Sequence, residues 1–261
     1  MGKIKINRNE ERFIKFINDY ELDIFTFDEL QSHKHLNIQY LQDTLESLVN
    51  RAFLNRIEKG KYCRHNFRNE YVIGNYLANG GSIAYWSALN IHGLTEQISN
   101  TVFVQTTKLK KDKSVFGVRY KFVKVKPEKI CGITTLGYGN GEFRITDTEK
   151  TLLDCFDLPQ YSGGYEELIR AFYHAKISST RLFEYGMKMG NLSVLKRLAF
   201  LSELFEMKGF TRFREQVLKI LNQRYTLIDP MGLDRGEFVS KWRIRLNISR
   251  NDLLGMIKNM Y

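Results

Sequence analysis

Residues 9–64 carry an ordered series of helix and strand signals that few folds can accommodate. Apolar residues recur at helical spacing over 9–20 and again over 37–50. Between these segments, Thr26 and the glutamate three residues later form a capping box, which marks the start of a short helix. Two short alternating segments then flank Gly60 and predict a β-hairpin. Helix, helix, turn, helix and hairpin in this order predict a winged helix-turn-helix.

The third helix of this series is the element that a winged helix places in the major groove of DNA. We predict it over residues 37–50, with Asn37 as its N-cap. Its first half is rich in Asn and Gln, whose amides can pair with both exposed edges of adenine. The acidic Asp43 and Glu46 are expected on the side that faces away from DNA. The predicted base-reading residues are Asn37, Gln39, Tyr40 and Gln42.

The predicted hairpin is strongly basic, as a wing that meets the DNA backbone must be. Residues 51–68 hold six Lys or Arg against Glu58 alone, a net charge of +5. Each phosphate that such cations neutralise releases counterions and so contributes to binding. The predicted phosphate-contacting residues are Lys34, Arg56, Lys59, Lys61 and Arg64. A winged helix that contacts protein instead of DNA is the alternative interpretation of the same elements.

The charge of the whole chain also favours a polyanionic partner. The 261 residues contain 40 Lys and Arg against 29 Asp and Glu, a formal net charge of +11. The excess is uneven, since residues 108–129 hold nine cations against two acids, whereas residues 10–29 are net acidic. The segment 108–129 is either a phosphate-binding surface or a solvated lysine-rich face.

Beyond residue 68 the pattern indicates a second, larger domain. Alternating segments predict strands, mostly antiparallel, between about 100 and 145, and amphipathic stripes predict helices between about 147 and 222. A strand and a short helix are predicted near the C-terminus, and the alternation of cations with apolar residues over 241–246 indicates an edge strand. We therefore predict an α+β protein with a winged helix-turn-helix over 1–68 and a mixed β-sheet plus helical domain over 69–261.

Three segments carry a resemblance to a known family. They are Gly60-Lys61-Tyr62 in the wing, Ser87-Ala88-Leu89 with His92-Gly93-Leu94-Thr95-Glu96, and Ile145-Thr146-Asp147-Thr148-Glu149-Lys150-Thr151-Leu152-Leu153-Asp154. In this order they resemble the AbiEi-type antitoxins, the antitoxin and regulator half of abortive-infection toxin–antitoxin pairs. The resemblance covers roughly residues 9–205. It implies a winged helix that binds promoter repeats and a C-terminal domain that blocks a nucleotidyltransferase-like toxin without forming a stable complex.

Polar residues in the resembling segments also allow an enzymatic alternative. Ser87, His92 and Asp147 are the residue types of a hydrolase triad, but Ser87 is predicted mid-helix without the glycines of a nucleophile elbow. His92 is predicted at the C-terminal end of a helix and Asp147 at the N-terminal end of another, where a cation and an anion respectively interact favourably with the helix dipole. Asp147, Glu149 and Lys150 resemble a nuclease carboxylate–lysine set, but they open a helix rather than a strand. The five histidines lack the spacing of metal ligands, so we predict no metal site. We also predict no catalytic residue and no cofactor.

The cysteine content and the hydropathy of the chain predict its cellular compartment. No run of about 18 apolar residues is present, and the first eight residues lack the apolar core of a secretory signal. Three distant cysteines fit a reducing compartment. We therefore expect a cytoplasmic, DNA-binding autorepressor with antitoxin activity and no membrane contact, as a monomer or a dimer. A nucleic-acid-processing enzyme and a protein-interaction module remain as alternatives.

Overall fold

A computed structural model describes residues 6–258, and its N-terminal part is a winged helix-turn-helix, as predicted. Three helices and a β-hairpin follow one another in the expected order, and a short third strand, which was not predicted, lies between the first two helices. The strands form a small antiparallel sheet in the order β1-β3-β2. These elements are α1 (Arg8–Asp19), β1 (Ile24–Thr26), α2 (Phe27–Ser32), α3 (Leu41–Asn50), β2 (Leu54–Glu58) and β3 (Lys61–Arg64).

Local sequence signals explain where the first helices begin. The amide of Glu29 donates to Thr26 Oγ1 at 3.1 Å, and the amide of Thr26 donates to the Glu29 carboxylate at 2.7 Å. This is the predicted capping box, and it satisfies two amides that the first turn of α2 leaves free. The apolar faces of α1 and α3 meet at the fully buried Phe13 and Leu45.

The start of α3 differs from the prediction. The helix begins at Leu41 rather than at Asn37, because Tyr40 adopts a left-handed conformation with φ 58° and ψ 48°. A residue in that region cannot continue a right-handed helix, so the chain before it runs as a loop. The side chain of Asn9 in α1 donates to the carbonyl of Gln39 at 3.0 Å and ties this loop to the first helix.

The second part of the chain contains a six-stranded mixed sheet. Its order is β6-β7-β5-β4-β9-β8, in which β5 and β7 run parallel, as do β4 and β9. The predicted mixed sheet is confirmed, but the antiparallel direction expected of its strands is wrong for β5 and β7. Ser82, just before α5 (Tyr85–Ile91), pairs with Gln105 in the sheet. The strands are β4 (Ser82–Ile83), β5 (Thr101–Thr106), β6 (Lys113–Val115), β7 (Val118–Lys124), β8 (Ile133–Leu136) and β9 (Phe143–Thr146).

Helices surround this sheet and supply most of the larger hydrophobic core. Leu152, Phe156 and Phe172 are fully buried there against the helices that follow. Within residues 6–258 no helix is both long and apolar enough to cross a membrane. The helices are α4 (Glu70–Ala78), α5 (Tyr85–Ile91), α6 (Thr148–Asp157), α7 (Tyr165–His174), α8 (Ser179–Met189), α9 (Leu192–Leu204), α10 (Thr211–Lys219) and α11 (Arg250–Lys258).

The C-terminal segment forms a separate three-stranded sheet. It contains β10 (Thr226–Leu227), β11 (Glu237–Val239) and β12 (Ile244–Leu246) in the order β10-β12-β11. The edge strand expected over 241–246 is thus wrong, since β12 is central and only three residues long. Trp242 is fully buried in the preceding turn and donates to Glu203 at 2.6 Å. Arg243 then adopts φ 53°, a left-handed conformation that extended backbone does not contain, so the strand begins only at Ile244.

The winged helix shares a hydrophobic core with the rest of the protein. Ile57 and Cys63, on the back of the wing, are buried in one cluster with Leu77 of α4 and with Val104 and Tyr120 of the large sheet. Residue 68, our predicted domain boundary, lies between β3 and α4, where the chain passes from one group of elements to the other. The wing is therefore anchored to the second part of the chain by packing and not only by a linker.

Candidate nucleic-acid interface

The predicted base-reading residues are all exposed, but only one of the four belongs to the helix. Gln42 occupies the first turn of α3, whereas Asn37, Gln39 and Tyr40 belong to the loop before it. All four side chains are exposed, and Tyr40 keeps 68% of its surface accessible. Only Gln42 is thus held by helical geometry in the place that a groove-reading side chain takes.

The acidic residues of α3 share this face, contrary to our expectation. Thr44, Leu45 and Leu48 face the core, which leaves Asp43 and Glu46 on the exposed side. The amide of Gln42 donates to the Glu46 carboxylate at 3.2 Å, one helical turn away. The exposed face of α3 therefore presents an amide and a carboxylate side by side.

A cleft of about 640 Å³ lies where the start of α2, the start of α3 and the wing come together. Gln42 is the residue of α3 that lines it, and the wing contributes the cations Arg56 and Lys59. The acids Asp28 and Glu58 line the same cleft. A helix side chain that can pair with bases therefore shares an open cleft with two exposed cations.

Three of the predicted phosphate-contacting side chains are exposed and uncommitted. Lys34 lies in the turn after α2, Arg56 points out of β2, and Lys59 lies at the tip of the wing. Among the described residues, none of these side chains has a hydrogen-bond or ion-pair partner. Gly60 adopts φ +72° beside Lys59, which forms the tight turn that exposes the lysine.

Lys61 was expected to contact phosphate from the wing, and the structure corrects this assignment. Its side chain is buried, and its ammonium donates to the carbonyls of Tyr76 at 2.6 Å and Leu77 at 3.1 Å. These carbonyls belong to the last turn of α4, where backbone acceptors lack helical donors, and that of Tyr76 also accepts from the amide of Asn79 at 3.4 Å. Burial lowers the pKa of Lys61, an effect that the neighbouring Glu58 carboxylate at 3.0 Å opposes.

Arg64 is likewise a structural cation rather than a free wing cation. Its guanidinium donates to the carbonyls of Ile17 at 2.7 Å and Leu22 at 2.9 Å, and it pairs with Asp23 at 2.9 Å. It thereby joins the end of β3 to the end of α1. A guanidinium with these three partners has little capacity left for DNA.

Lys59 and Lys61 form a matched pair for mutagenesis. We expect Lys61→Met to lower the free energy of unfolding by about 1–2 kcal/mol, since it removes the ammonium group that donates to the carbonyls of Tyr76 and Leu77 at the end of α4. It should leave the salt dependence of DNA binding unchanged. Lys59→Ala should leave thermal stability unchanged and weaken binding to all duplexes alike. Urea unfolding and fluorescence anisotropy across salt separate the two effects, and equal behaviour of both variants would contradict the assignment.

The wing tip also contains an acid, whose charge is neutralised from the second part of the chain. Burial opposes the ionisation of Glu58, but hydrogen bonds from Lys110 at 2.6 Å and from Lys61 outweigh it and lower its pKa. Lys113 lies 3.7 Å from the same carboxylate. The sequence marked 108–129 as basic but gave no signal that this segment reaches the wing, because the contact joins residues 52 positions apart.

The residues of the hydrolase-like set do not face one another. Ser87 accepts from the amide of Phe103 at 2.9 Å, and the ring of His92 contacts the carbonyl of Thr146 at 2.7 Å. Asp147 caps α6 by accepting from its third amide at 2.9 Å. Each group thus has a separate structural partner, and the helix-end positions expected for His92 and Asp147 are confirmed.

The nuclease-like set is similarly dispersed. Glu149 is buried and accepts from the amide of Ser178 at 2.7 Å, while Arg181 pairs with it at 3.0 Å. Lys150 is fully buried and pairs with Asp154 on the next turn of α6. In the described part of the chain, no three His, Cys, Asp or Glu residues are grouped to hold a metal ion.

Comparison with known proteins places the fold. No protein-family model matches the chain, and no curated protein matches it significantly. Among solved structures, the chain is similar to the Rv2827c protein from Mycobacterium tuberculosis, with a TM-score of 0.65 and 12% sequence identity. The match covers 98% of this chain and 96% of that chain. The chain therefore shares the fold of that protein over nearly its full length.

Proposed function

We propose that the chain is a sequence-specific, double-stranded DNA-binding repressor whose winged helix recognises promoter repeats. The observation that supports this most directly is the cleft that Gln42 of α3 lines together with the wing cations Arg56 and Lys59. An amide on an exposed helix supplies base contacts, and cations on the adjacent hairpin supply phosphate contacts. Tyr40 and Gln39, in the loop that leads into α3, are also exposed and would be free to contact DNA beside Gln42.

We further propose that the chain acts as the antitoxin of a pair whose toxin is nucleotidyltransferase-like. The support is the resemblance of three segments to AbiEi-type antitoxins. Two of these segments lie on α5 and α6, which pack together and are joined by the contact between His92 and Thr146. Because residues of α5 and α6 make contacts inside the fold, proteins that share the fold would be expected to resemble one another in these two segments.

The DNA-binding proposal predicts a tight and salt-sensitive complex. Sites selected by the chain from a random duplex library should bind with Kd on the order of 10⁻⁸–10⁻¹¹ M at physiological salt. Affinity should fall steeply as salt rises, since several phosphate contacts release counterions. Selection followed by gel shift across salt concentrations tests this. Selection that enriches no sequence would overturn the proposal.

The same preparation discriminates the two alternatives. A nuclease would cleave nucleic acid in the presence of a divalent metal and lose this activity on Asp147→Asn. A protein-interaction module would leave every duplex unshifted and bind its partner with little salt dependence.

The antitoxin proposal is tested in cells. The adjacent reading frame should encode a nucleotidyltransferase-like protein whose expression arrests growth. Co-expression of this chain should restore growth, and the two proteins should not co-purify. Growth arrest that persists at high levels of this chain would refute the antitoxin role and leave the DNA-binding proposal intact.

A further inference from the structure

The loop between β5 and β6, residues 107–112, lies against the tip of the wing. Its central Lys110 donates to the carboxylate of Glu58 at 2.6 Å, and Glu58 directly precedes Lys59 at the wing tip. The Lys110 ammonium also lies 5.3 Å from the centre of the Phe122 ring in β7. Two contacts thus hold this lysine between the large sheet and the wing.

The contact with Glu58 changes the electrostatics of the wing. An unpaired carboxylate at this position would repel a phosphate backbone that approaches Lys59. Lys110 and Lys61 neutralise it, and Lys61 is already committed to the end of α4. The loop therefore contributes charge to the wing surface although it belongs to another element.

The loop also presents two further cations that its own contacts do not use. Lys108 and Lys111 are exposed, and within residues 6–258 their side chains have no hydrogen-bond or ion-pair partner. The acid of the loop, Asp112, pairs instead with Arg119 and Lys121, each at 3.1 Å. Since two residues of chain span at most about 7 Å, both free lysines stay close to the anchored Lys110.

We propose that residues 107–112 form a second phosphate-binding element, which contacts the duplex backbone beside the wing and extends the DNA footprint beyond the winged helix. The inference rests on the proposed DNA-binding function. The ligand is the sugar–phosphate backbone of double-stranded DNA, read without regard to sequence. The anchoring contact between Lys110 and Glu58 keeps the loop and the wing in one fixed surface, so that both meet the same duplex.

A charge-matched comparison tests the element. Lys108→Ala with Lys111→Ala removes two exposed cations of the loop, and Lys188→Ala with Lys219→Ala removes two exposed cations from α8 and α10. Fluorescence anisotropy with a mixed-sequence duplex of about 30 base pairs avoids any dependence on the operator. Each phosphate contact contributes about 0.9 to the salt slope, so the loop variant should lose about 1.8. Between about 50 and 200 mM salt, the wild type should then lose about 12-fold more affinity than the loop variant.

Each outcome supports or overturns the inference. A flatter slope for the loop variant alone supports it. An unchanged slope, or an equal change in both double variants, overturns it and leaves the DNA-binding function standing. A wild-type chain that binds neither this duplex nor any selected site overturns both.

Discussion

Replacing Lys150 with methionine should lower the free energy of unfolding by about 3–5 kcal/mol at pH 8, because it leaves the carboxylate of Asp154 buried without its partner. Both side chains are almost completely buried in α6. The free-energy cost of burying an unpaired carboxylate is far larger than the stability that an ion pair on the protein surface contributes. The expected loss is therefore large for the removal of one ammonium group.

The deficit should shrink as the pH falls toward 5. Burial raises the pKa of Asp154 to about 6 even though Lys150 opposes the shift. Without Lys150 the pKa rises further, so the native state binds a proton that the unfolded chain, with a pKa near 3.9, has already released. Where the native state binds more protons, stability increases as pH decreases. Urea unfolding of the variant at pH 5, 6, 7 and 8 measures this slope.

A double variant separates the ion pair from the packing. Lys150→Met with Asp154→Leu removes both charges and should recover most of the lost stability. Lys188→Met, on the exposed side of α8, should change stability by no more than about 0.5 kcal/mol. If the single variant showed no pH dependence, or if the double variant were no more stable, Asp154 would not be the group that Lys150 neutralises.

The ion pair also explains part of the sequence resemblance in physical terms. Lys150 and Asp154 begin and end the Lys-Thr-Leu-Leu-Asp segment, and the side chains between them pack into the core. Of the nuclease-like set, Lys150 is the member that this pair buries, whereas Asp147 caps α6 and Glu149 bonds to the start of α8.

The sequence predicted features that short-range interactions determine. The capping box of Thr26 and Glu29 joins residues three apart, and the order of helices and strands follows from hydrophobic spacing. The start of α3 was missed because Tyr40, a residue with no special preference for it, takes the left-handed conformation that glycine usually supplies. No local signal distinguished this tyrosine from a helical residue.

The roles of the wing cations could not be predicted because tertiary contacts assign them. Lys59, Lys61 and Arg64 are alike in the sequence, yet only Lys59 is free. The end of α4 meets Lys61, and the end of α1 meets Arg64. Both encounters depend on how helices pack against the wing, which hydrophobic periodicity does not specify. A basic hairpin therefore predicts a wing more securely than it predicts which of its cations reach DNA.

Gln42→Ala should weaken binding to the selected site by about 5- to 150-fold, which corresponds to about 1–3 kcal/mol for one lost base contact. Binding to a mixed-sequence duplex should stay unchanged, because an amide contributes nothing to the sequence-independent phosphate contacts. Asn50→Ala, an exposed change at the far end of the same helix, is the matched control.

Glu46 should add a second element of specificity, since its carboxylate lies beside the Gln42 amide at 3.2 Å. A carboxylate can accept a hydrogen bond from the amino group of cytosine, so it favours a cytosine at the facing position. It also repels phosphate, so it disfavours arrangements in which the DNA backbone lies against this part of α3. Glu46→Gln keeps the shape and removes the charge. We expect it to relax the base preference at one position and to strengthen binding to mixed-sequence DNA. Library selection with each variant measures both effects, and identical selected sites for wild type, Gln42→Ala and Glu46→Gln would mean that α3 does not enter the groove.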